Sequence, residues 1–502
     1  MDLAPARSRE RALTELGERR FDLLVIGGGI IGAGIASTAA AHGLAVALVD
    51  RGDFGGATSS ASSKLIHGGL RYLVLGDVSL VREAHQERRA LMQVVAPHLV
   101  RRLPFMFPLY RDGPYRPFVV KSGILLYSAL ARGRLSWSVD AEHSRRLVPD
   151  LRTEGLHSCA LYHDAWTNDG RLTLENVRAA ADAGATVLNY AEIVALRGGE
   201  GAEVAADSVT VEVRARAVVN ATGPWVDHVR RLEDPGAPRS MRLSKGIHVL
   251  VDQARPWTAA LTIPHDKVRV SFAVPWEGML LLGTTDTEHD GGPDEVEVTE
   301  ADIRQVLGEA GLALDPERLR RESVRAVFAG LRVLPGGEGE TANARRETVY
   351  SRGRSGMISV AGGKLTTYRR IALDALEHLR AELGLHRLDR RPHPLPGAVG
   401  LDRVVLPGLP VATRDHLLHL YGSLAPEVLA PAADDPSLLE PLRPDGPDLA
   451  AQALYALTHE WALTTEDVLR RRTTAWLRGD DAGAEERVAA LLANRAASSP
   501  RI

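Results

Sequence analysis

Three glycines mark the part of the sequence whose residue types and spacing point most directly to chemistry. Gly27, Gly29 and Gly32 fit the pattern G-x-G-x-x-G between an apolar run and a stretch of small residues. The first glycine permits a tight turn, the second lets the backbone approach a pyrophosphate, and the third lets a helix pack closely on a strand. Asp50, at the end of the next apolar run, is placed to bind ribose hydroxyls. The spacing predicts a dinucleotide site but does not decide between FAD and NAD.

The elements that must hold these glycines form a βαβ unit. We predict a strand over residues 21–26, a helix over 30–42 and a second strand over 44–49, so that the helix N-terminus meets the phosphates. The stretch from residue 23 to residue 49 has no Asp, Glu, Lys or Arg and is long enough to span a membrane. Because its glycines crowd one end and it divides into strand, turn and helix, we interpret it as a βαβ unit buried on nearly every face.

Length and composition set the broad class of protein. A chain of 502 residues is too long for one ordinary core, so we expect two or three domains. The formal net charge of -3 gives no electrostatic reason to expect nucleic acid as a partner. The single cysteine, Cys159, excludes an intramolecular disulfide, and we interpret it as a buried thiol. No apolar segment follows the basic residues of positions 1–20, so this stretch does not resemble a signal peptide.

The rest of the chain carries the patterns of a second sheet and of a helical C-terminal region. Residues 247–251, 268–274 and 279–283 alternate like the strands of a mostly antiparallel sheet. Residues 104–117 are rich in aromatic residues and proline, which we interpret as a crossing between domains. From about residue 390 onward, proline-rich links separate helical segments, which predicts a separate helical domain.

Four sequence blocks resemble, in the same order, the signatures of the FAD-dependent glycerol-3-phosphate dehydrogenase family. They are ATSSASSKLIHGGLRY at residues 57–72, VNATGPWV at 219–226, GTTD at 283–286 and GGKLTTY at 362–368. The tail segment LTTEDVLRRRT at 463–473 resembles the family's C-terminal domain more loosely. On composition alone the first block could be a serine-rich surface loop, and the matching order of the other blocks argues against that alternative. The resemblance favours FAD as the dinucleotide.

The resemblance also implies a fold and a domain arrangement. The expected fold is α/β and similar to D-amino acid oxidase: a Rossmann-like FAD-binding domain, an antiparallel β-sheet substrate domain and a C-terminal helical domain. The FAD-binding domain is expected to be discontinuous, over residues 20–100, 153–236 and 322–388. The substrate domain is expected over residues 101–152 and 237–321, and the C-terminal helical domain over residues 390–502.

A further implication of the resemblance concerns the residues that hold the cofactor. Small hydroxyl residues let the backbone approach a flavin ring and supply hydrogen bonds to it. Gly363 and Lys364 precede a helix whose N-terminus can point at the flavin N1–C2=O edge, where hydride transfer leaves negative charge. The expected cofactor-binding residues are Gly27, Gly29, Gly32, Asp50, Thr58, Ser59, Ser62, Ser63, Lys64, Leu65, Gly223, Gly363, Lys364 and Leu365.

The substrate that the resemblance implies is sn-glycerol 3-phosphate, oxidised to dihydroxyacetone phosphate by hydride transfer from C2 to FAD. Arg332 and Arg346 are assigned to the phosphate because guanidinium groups bind phosphate oxygens bidentately, with Arg345 as the alternative to Arg346. His248 is the preferred general base for the C2 hydroxyl proton, and Lys364 is the rival if burial lowers its pKa. The catalytic residues are therefore expected to be His248, Lys364 and Arg332. The expected substrate-binding residues are Arg71, Tyr72, His248, Arg332, Arg346 and Lys364.

The electron acceptor has more than one candidate. The resemblance implies transfer to a membrane quinone by a cytoplasmic protein in peripheral contact with lipid at the inner face of the cell membrane. One alternative is a glycerol-3-phosphate oxidase that uses O2; family oxidases commonly carry an extra insertion, and we find no long, biased segment that would serve. Another is a non-catalytic FAD-binding scaffold, which the cluster of candidate site residues disfavours. The C-terminal domain could mediate a homodimer, membrane docking or a protein contact.

Overall fold

Two β-sheets flanked by helices make up the computed structural model, which describes residues 9–70, 73, 77–131, 138–266, 269–336 and 348–498. The helices are α1 Arg9–Glu18, α2 Ile30–Ala41, α3 Val78–Ala90, α4 Pro117–Leu130, α5 Ala141–Leu147, α6 Asp169–Asp182, α7 Val226–Glu233, α8 Glu300–Ala310, α9 Tyr368–His378, α10 Val411–Tyr421, α11 Ala425–Leu429, α12 Ala450–His459, α13 Thr465–Asp467 and α14 Ala482–Ser498. The strands are β1 Arg20–Ile26, β2 Val46–Val49, β3 Leu65–Ile66, β4 Arg101–Tyr110, β5 Ser138–Val139, β6 Leu156–Trp166, β7 Thr186–Leu188, β8 Glu192–Leu196, β9 Gly201–Ala206, β10 Val209–Asn220, β11 Met241–Asp252, β12 Ala260–Pro264, β13 Val270–Trp276, β14 Met279–Gly283, β15 Thr287–His289, β16 Val324–Pro335, β17 Thr348–Arg352 and β18 Ile358–Gly362.

The first sheet has eight strands and contains the predicted dinucleotide unit. Its order is β17-β18-β10-β1-β2-β7, with β9 pairing to β10 and β8 to β9. The pairs among β1, β2, β7, β10 and β18 are parallel. Leu23, Val25 and Leu48 are fully buried in one core with residues of α2, α6 and α9, as expected for a parallel sheet covered by helices. The predicted strand, glycine turn, helix and strand are therefore confirmed.

The second sheet has ten strands and is the antiparallel layer that the sequence predicts. Its order is β15-β11-β14-β13-β12-β4-β6-β3, with β16 paired to β11 and β5 to β6. The only parallel pair between its described strands is β4 with β12. Residue 268, the first of one predicted strand, lies outside the described residues. In the long β11–β16 pair, His248 lies directly opposite Phe328.

The interpretation of residues 104–117 as a crossing between domains is wrong for the first half of this stretch, which is part of a strand. Arg101–Tyr110 is strand β4, which pairs with β6 along its whole length. Pro104 and Pro108 are four residues apart, so their missing N–H groups fall on the same edge of the strand. The N–H groups of the alternate residues still maintain the ladder on the other edge, so two prolines do not exclude a strand here.

Three strands within the ranges predicted for the FAD-binding domain lie in the second sheet. They are Leu65–Ile66, Leu156–Trp166 and Val324–Pro335. The apolar pattern of a strand shows that it is buried and does not show which sheet it joins, because that depends on pairing between distant parts of the chain. The domain boundaries themselves stay a prediction.

The region after residue 390 is helical, as predicted, and packs on both sheets. Arg472, whose side chain is fully buried, pairs at 2.8 Å with Asp53, which follows the first βαβ unit. His419 lies 3.4 Å from Glu277, in the turn between β13 and β14 of the second sheet. Among the helices of the described residues, none combines the length and the hydropathy that crossing a membrane requires.

Candidate active site

A cavity of about 560 Å³ is lined by residues of both sheets. Arg71, Tyr72, Arg345 and Arg346 lie outside the described residues. Gly32 and Lys64 do not line the cavity. The predicted site residues that the structure brings together here are Gly27, Gly29, Asp50, Thr58, Ser59, Ser62, Ser63, Leu65, Gly223, His248, Arg332, Gly363, Lys364 and Leu365.

The glycine turn forms one end of the cavity. Gly27 has a φ of +103°, and a Cβ there would lie 2.6 Å from the Ala221 carbonyl oxygen. A Cβ on Gly32 would overlap the Gly27 carbonyl oxygen, so α2 approaches β1 this closely only with glycine at this position. Gly29 lies directly before α2 and lines the cavity. The N-terminus of α2 is thus available to a pyrophosphate, which is the role that the spacing predicts.

Asp50 lies beside this turn, at the end of β2. Its Oδ2 accepts a hydrogen bond of 2.6 Å from Gly28 N, and its Oδ1 accepts one of 2.8 Å from Gly52 N. Burial raises the pKa of Asp50 to about 6, and the two backbone donors lower it only in part. Each carboxylate oxygen keeps a further lone pair, which ribose hydroxyls can use.

Three hydroxyl groups of the Ser-rich block fasten this loop to its surroundings. Ser59 Oγ accepts a hydrogen bond of 2.9 Å from Ile30 N at the start of α2. Thr58 Oγ1 donates at 2.8 Å to the Leu331 carbonyl of the second sheet. Ser62 Oγ donates at 2.6 Å to Asp169, the first residue of α6. The loop therefore spans the cavity wall from the glycine turn to the second sheet.

Lys64 supports this loop from behind rather than lining the cavity. Its side chain is 3% exposed, and Nζ lies 2.6 Å from Asp169 Oδ1. The ammonium group also lies 5.0 Å from the ring centroid of Trp276 and 4.9 Å from that of Phe328. The side chain of Lys64 is therefore committed to a buried ion pair, and a contact of this residue with the cofactor stays a prediction.

His248 occupies the other end of the cavity, on β11. Its ring stacks on Phe328, with centroids 4.9 Å apart, and its Nε2 lies 3.0 Å from Ser63 Oγ. Within the described part of the chain, its buried Nδ1 has no hydrogen-bond partner. Burial lowers the pKa of His248 well below 6.5, and the positive charges of Arg332 and Lys64 lower it further. The imidazole is therefore neutral at neutral pH and able to accept a proton.

Arg332 lies near His248 on the neighbouring strand β16. Its guanidinium group donates at 2.8 Å to Thr284 Oγ1 and at 3.4 Å to Ser244 Oγ. Asp286 Oδ1 lies 3.8 Å from it. Thr284 and Asp286 both belong to the GTTD block, so this block positions the arginine that the sequence assigns to a phosphate.

Lys364 enters the cavity from the first sheet. It follows Gly363, whose φ is +83°, and precedes the short 3-10 turn Leu365–Thr367 that leads into α9. A Cβ on Gly363 would overlap the side chain of Ile371 in α9, so this glycine lets the turn pack closely on the helix. The glycines, the lysine and the start of the helix line the same cavity as His248 and Arg332.

Comparison with known proteins assigns the chain to a family. The model described as FAD dependent oxidoreductase matches residues 22–369, and the model described as C-terminal domain of alpha-glycerophosphate oxidase matches residues 334–500. Glycerol-3-phosphate dehydrogenase 2 of Mycobacterium tuberculosis is 38% identical over 498 residues, covering 94% of this chain and 83% of that protein. The chain belongs to the FAD-dependent glycerol-3-phosphate dehydrogenase family.

Other relatives of this dehydrogenase family member carry related names. The D-erythritol 1-phosphate dehydrogenase of Brucella abortus is 36% identical, covering 91% of this chain and 94% of that protein. The alpha-glycerophosphate oxidase of Lactococcus lactis is 31% identical, covering 93% and 90%. The solved structure of the glycerol-3-phosphate dehydrogenase from Bacillus halodurans, complexed with FAD, is 28% identical with a TM-score of 0.74, covering 98% of this chain and 97% of that one.

FAD is the cofactor of this flavoprotein, and the cavity suits its two ends. The glycine turn and Asp50 offer a helix N-terminus and a carboxylate to a pyrophosphate and a ribose. His248 and Lys364 line the same cavity as the glycine turn, so one elongated ligand can contact both groups of residues.

Some residues of the cavity are missing from the sequence-based set. Glu466 and Arg471 of the C-terminal region line it. Arg471 pairs with Asp53 at 2.5 Å and with Asp467 at 2.6 Å. The tail segment that resembles the family contains three successive arginines at 470–472. They are the sequence signal that could have predicted that this segment lines the cavity. Trp225, which packs under the Arg51 guanidinium at 4.4 Å, also lines the cavity and lies within the VNATGPWV block.

Proposed function

We propose that this flavoprotein oxidises sn-glycerol 3-phosphate to dihydroxyacetone phosphate and passes the electrons to a membrane quinone. The observation that carries the proposal is the neutral, buried His248 near Arg332, in an FAD cavity that Lys364 also lines. The names of the 38% identical relatives support the same substrate. A peripheral contact with the inner face of the membrane is part of the proposal, because quinones reside in the bilayer.

The proton of the C2 hydroxyl is the first requirement of this oxidation. FAD, when bound, supplies the acceptor for the C2 hydride. When His248 Nε2 donates to Ser63 Oγ, Nδ1 carries the lone pair that can take the hydroxyl proton. Stacking on Phe328 and the bond to Ser63 hold the ring in one orientation. We therefore assign His248 as the general base, with Lys364 as the alternative.

The phosphate dianion is the second requirement. We assign Arg332 to it, because its guanidinium group lines the cavity and is held by Thr284 and Ser244. Arg71, Tyr72 and Arg346 are proposed to complete the substrate site on the family resemblance. Lys364 adds a positive charge to the lining of the same cavity, where it would stabilise negative charge that develops on the flavin.

An alignment supports a quinone over oxygen as the acceptor. The alignment with the Lactococcus lactis oxidase extends over 566 positions while covering 93% of this 502-residue chain, so the oxidase carries many residues that this chain lacks. The alignment with the Mycobacterium tuberculosis dehydrogenase covers a similar share in 498 positions. Within the aligned region the chain therefore lacks far more residues relative to the oxidase than relative to the dehydrogenase.

A second candidate substrate is a four-carbon polyol phosphate. The relative named D-erythritol 1-phosphate dehydrogenase has nearly the same identity as the glycerol-3-phosphate dehydrogenases, and a larger share of its own length is covered. Both substrates present a phosphate and a secondary alcohol, which the same arginine and histidine can bind. Steady-state kcat/KM values for the two compounds, measured with a soluble dye, decide between them, and we expect glycerol 3-phosphate to be preferred.

The chemistry is tested by mixing the holoenzyme with glycerol 3-phosphate in the absence of oxygen. We expect the yellow flavin absorbance to disappear, and persistent colour would contradict the proposed substrate. In His248→Gln we expect FAD to stay bound and the rate of flavin reduction to fall about 100-fold or more, because general base catalysis contributes that much. Lys364→Met should also keep its FAD and lose most of the rate. The exposed His386→Gln is the matched control and should reduce its flavin at the wild-type rate.

The acceptor is tested on the reduced enzyme. Stopped-flow reoxidation with a water-soluble quinone analogue should be much faster than reoxidation with dissolved O2. Rapid O2 consumption with formation of peroxide would show that the protein is an oxidase instead.

A further inference from the structure

Helix α4, Pro117–Leu130, carries an apolar face that no described part of the chain covers. Phe118 is 81% exposed, Val119 60%, and Leu125 and Leu126 49% each. The spacing of these four residues places them on one side of the helix, and we call them the outer face of α4. An exposed apolar stripe on a surface helix is typical of an interaction surface.

This helix is fixed to the second sheet by its opposite side. Ile124 and Tyr127 are buried, and Tyr127 Oη donates to both oxygens of Asp164 at 2.9 Å. Arg88 pairs with the same carboxylate. Because Asp164 lies on β6, within the second sheet, the outer face of α4 is presented by a rigid support.

A second cavity, of about 270 Å³, lies at the C-terminal end of α4, where Ser128 and Ala131 form part of its wall. Arg89 donates at 2.8 Å to the Ala131 carbonyl and lines this cavity together with the exposed Arg102 of β4. The cavity is further lined by His85, Arg88 and Asp164, and we call it the basic cavity.

The charge of the basic cavity is the second observation that points to a ligand there. His85, which lines the cavity, is 3% exposed, and its ring packs against that of Tyr127 with centroids 4.5 Å apart. The Asp164 carboxylate already accepts from Tyr127 and pairs with Arg88, so the surplus charge of the cavity is positive. Three guanidinium groups around one carboxylate are suited to a phosphate group.

The surroundings of the helix are also basic, although the whole chain has a net charge of -3. Between residues 101 and 131, Asp112 is the only acidic residue in the sequence. The basic residues of this stretch are Arg101, Arg102, Arg111, Arg116 and Lys121. An apolar stripe flanked by basic residues matches the chemistry of an anionic lipid surface, in which acyl chains lie beneath phosphate groups.

We propose that the outer face of α4 and the basic cavity form the docking surface of this protein for an anionic phospholipid bilayer. The apolar side chains enter the acyl region, and a lipid phosphate occupies the basic cavity. The inference extends the proposed quinone acceptor, because an enzyme that reduces a membrane quinone must meet the bilayer. A second copy of the chain suits this surface less well, since a two-fold contact would set the same arginines against each other.

The experiment is flotation of the FAD-loaded, full-length protein with two kinds of vesicle. We expect strong binding to vesicles of phosphatidylcholine mixed with phosphatidylglycerol and weak binding to phosphatidylcholine alone. Phe118→Ser/Leu125→Ser/Leu126→Ser should lower the partition coefficient at least about tenfold on both. Arg89→Gln and Arg102→Gln should each lower it about fivefold, and only on the phosphatidylglycerol vesicles.

Two controls match these variants elsewhere on the surface. Val405→Ser replaces a valine that is 76% exposed, and Arg354→Gln replaces an arginine whose side chain is 84% exposed. Both should bind vesicles like the wild type. Equal binding of the α4 variants and the controls would overturn the proposal. So would a change from dimer to monomer in the α4 variants by light scattering, which would assign the face to a second copy.

Two further measurements separate lipid from free phosphate and separate this proposal from the enzymatic one. Inorganic phosphate should not release the protein from vesicles at constant ionic strength; release would identify the basic cavity as a site for a soluble anion and overturn the lipid assignment. Oxidation of glycerol 3-phosphate with a soluble dye, without vesicles, should be unchanged in all variants. Loss of this activity in the wild type contradicts the proposed function, whereas normal activity without vesicle binding contradicts only the docking surface.

Discussion

The carboxylate of Asp50 accepts two backbone hydrogen bonds, from Gly28 and Gly52, yet burial still raises its pKa to about 6. Above this pH the ionised group can accept hydrogen bonds from the ribose hydroxyls of FAD, and below it the added proton removes part of that capacity. We therefore expect the affinity of the apoprotein for FAD to fall as the pH decreases through about 6. The loss should approach about tenfold for each further pH unit, measured by the quenching of FAD fluorescence on titration.

The Asp50→Asn variant separates this effect from a general acid sensitivity of the protein. The amide that replaces the carboxylate cannot ionise, so the variant should bind FAD more weakly near neutral pH and show a flat dependence between about pH 5 and about pH 7. If wild type and variant lose affinity in parallel, Asp50 is not the titrating group.

Asp50 and Lys64 show that the sequence predicts the place of a residue in a local unit but not its burial or its distant partner. The position of Asp50 at the end of the second strand is enough to predict its contact with the ribose, because the βαβ unit is local in the chain. Its raised pKa could not be predicted, since burial depends on the whole fold. Lys64 shows the same limit, because its partner Asp169 is 105 residues away in the sequence. The family resemblance selects the loop that lines the cavity, and it contains no information on the partner of this side chain.

At the scale of elements, the Ser-rich loop depends on that buried pair. Lys64 and Asp169 are 3% and 1% exposed, and Asp169 also accepts from the backbone and the hydroxyl of Ser62. In Lys64→Met the Asp169 carboxylate would remain buried without its counter-charge. We expect a loss of about 3–5 kcal/mol in the free energy of unfolding, measured by urea denaturation. The FAD content on purification should fall as well, because the loop lines the cofactor cavity.

A second substitution distinguishes a lost charge balance from lost packing. In Lys64→Met/Asp169→Asn no buried charge is left unpaired, so part of the stability should return relative to the single variant. Lys121→Met, at a partly exposed position on α4, should change the stability by less than about 0.5 kcal/mol. A single variant as stable as this control would show that the pair contributes nothing to holding the loop.

Elements with strong local signals were predicted well, and elements defined by distant pairing were not. The glycine turn, its helix and its two strands depend on neighbouring residues, and the structure contains all of them. Strand β4 was missed because its prolines are a local signal against a strand, whereas its pairing with β6 is a non-local one. The same reason explains why the sequence does not show that β6 and β16 join the second sheet.

At the scale of the whole molecule, the sequence left the role of the C-terminal region open, and the structure gives it two sets of contacts. Arg471 and Arg472 meet Asp53 at the edge of the cofactor cavity. On the second sheet, Glu277 meets His419, and His416 lies 2.8 Å from Asp448 and 3.8 Å from Glu277. Glu277 lies far from His416, His419 and Asp448 in the sequence, so no local pattern predicts that these four residues meet. We call them the His416 cluster.

The His416 cluster makes the attachment of the C-terminal region dependent on pH. Burial alone lowers the pKa of His416, but the neighbouring Asp448 carboxylate outweighs it and raises that pKa above its ordinary value of 6.5. The stability that the charged His416 contributes is therefore complete below pH 6.5 and is lost as the pH rises through the higher pKa of the folded state. The pKa values of Asp448 and Glu277 are lowered, against the effect of burial, by His416 and His419 respectively. Their contribution is present above their ordinary values of 3.8 and 4.5 and is lost as the pH falls through the lowered ones.

Between about pH 5 and about pH 6.5, His416 is therefore charged while Asp448 and Glu277 are ionised, so the contribution of these charges to stability is complete. We expect His416→Gln to lower the free energy of unfolding by about 3 kcal/mol near pH 6, because Asp448 would lose a buried counter-charge. The difference between wild type and variant should shrink as the pH is raised, since wild-type His416 then becomes neutral and resembles glutamine. Urea denaturation at a series of pH values measures this difference, with the exposed His386→Gln as the control that stays near zero throughout. A difference that stays constant or grows toward alkaline pH would mean that His416 is neutral in the folded protein and that packing, rather than charge, holds the C-terminal region to the second sheet.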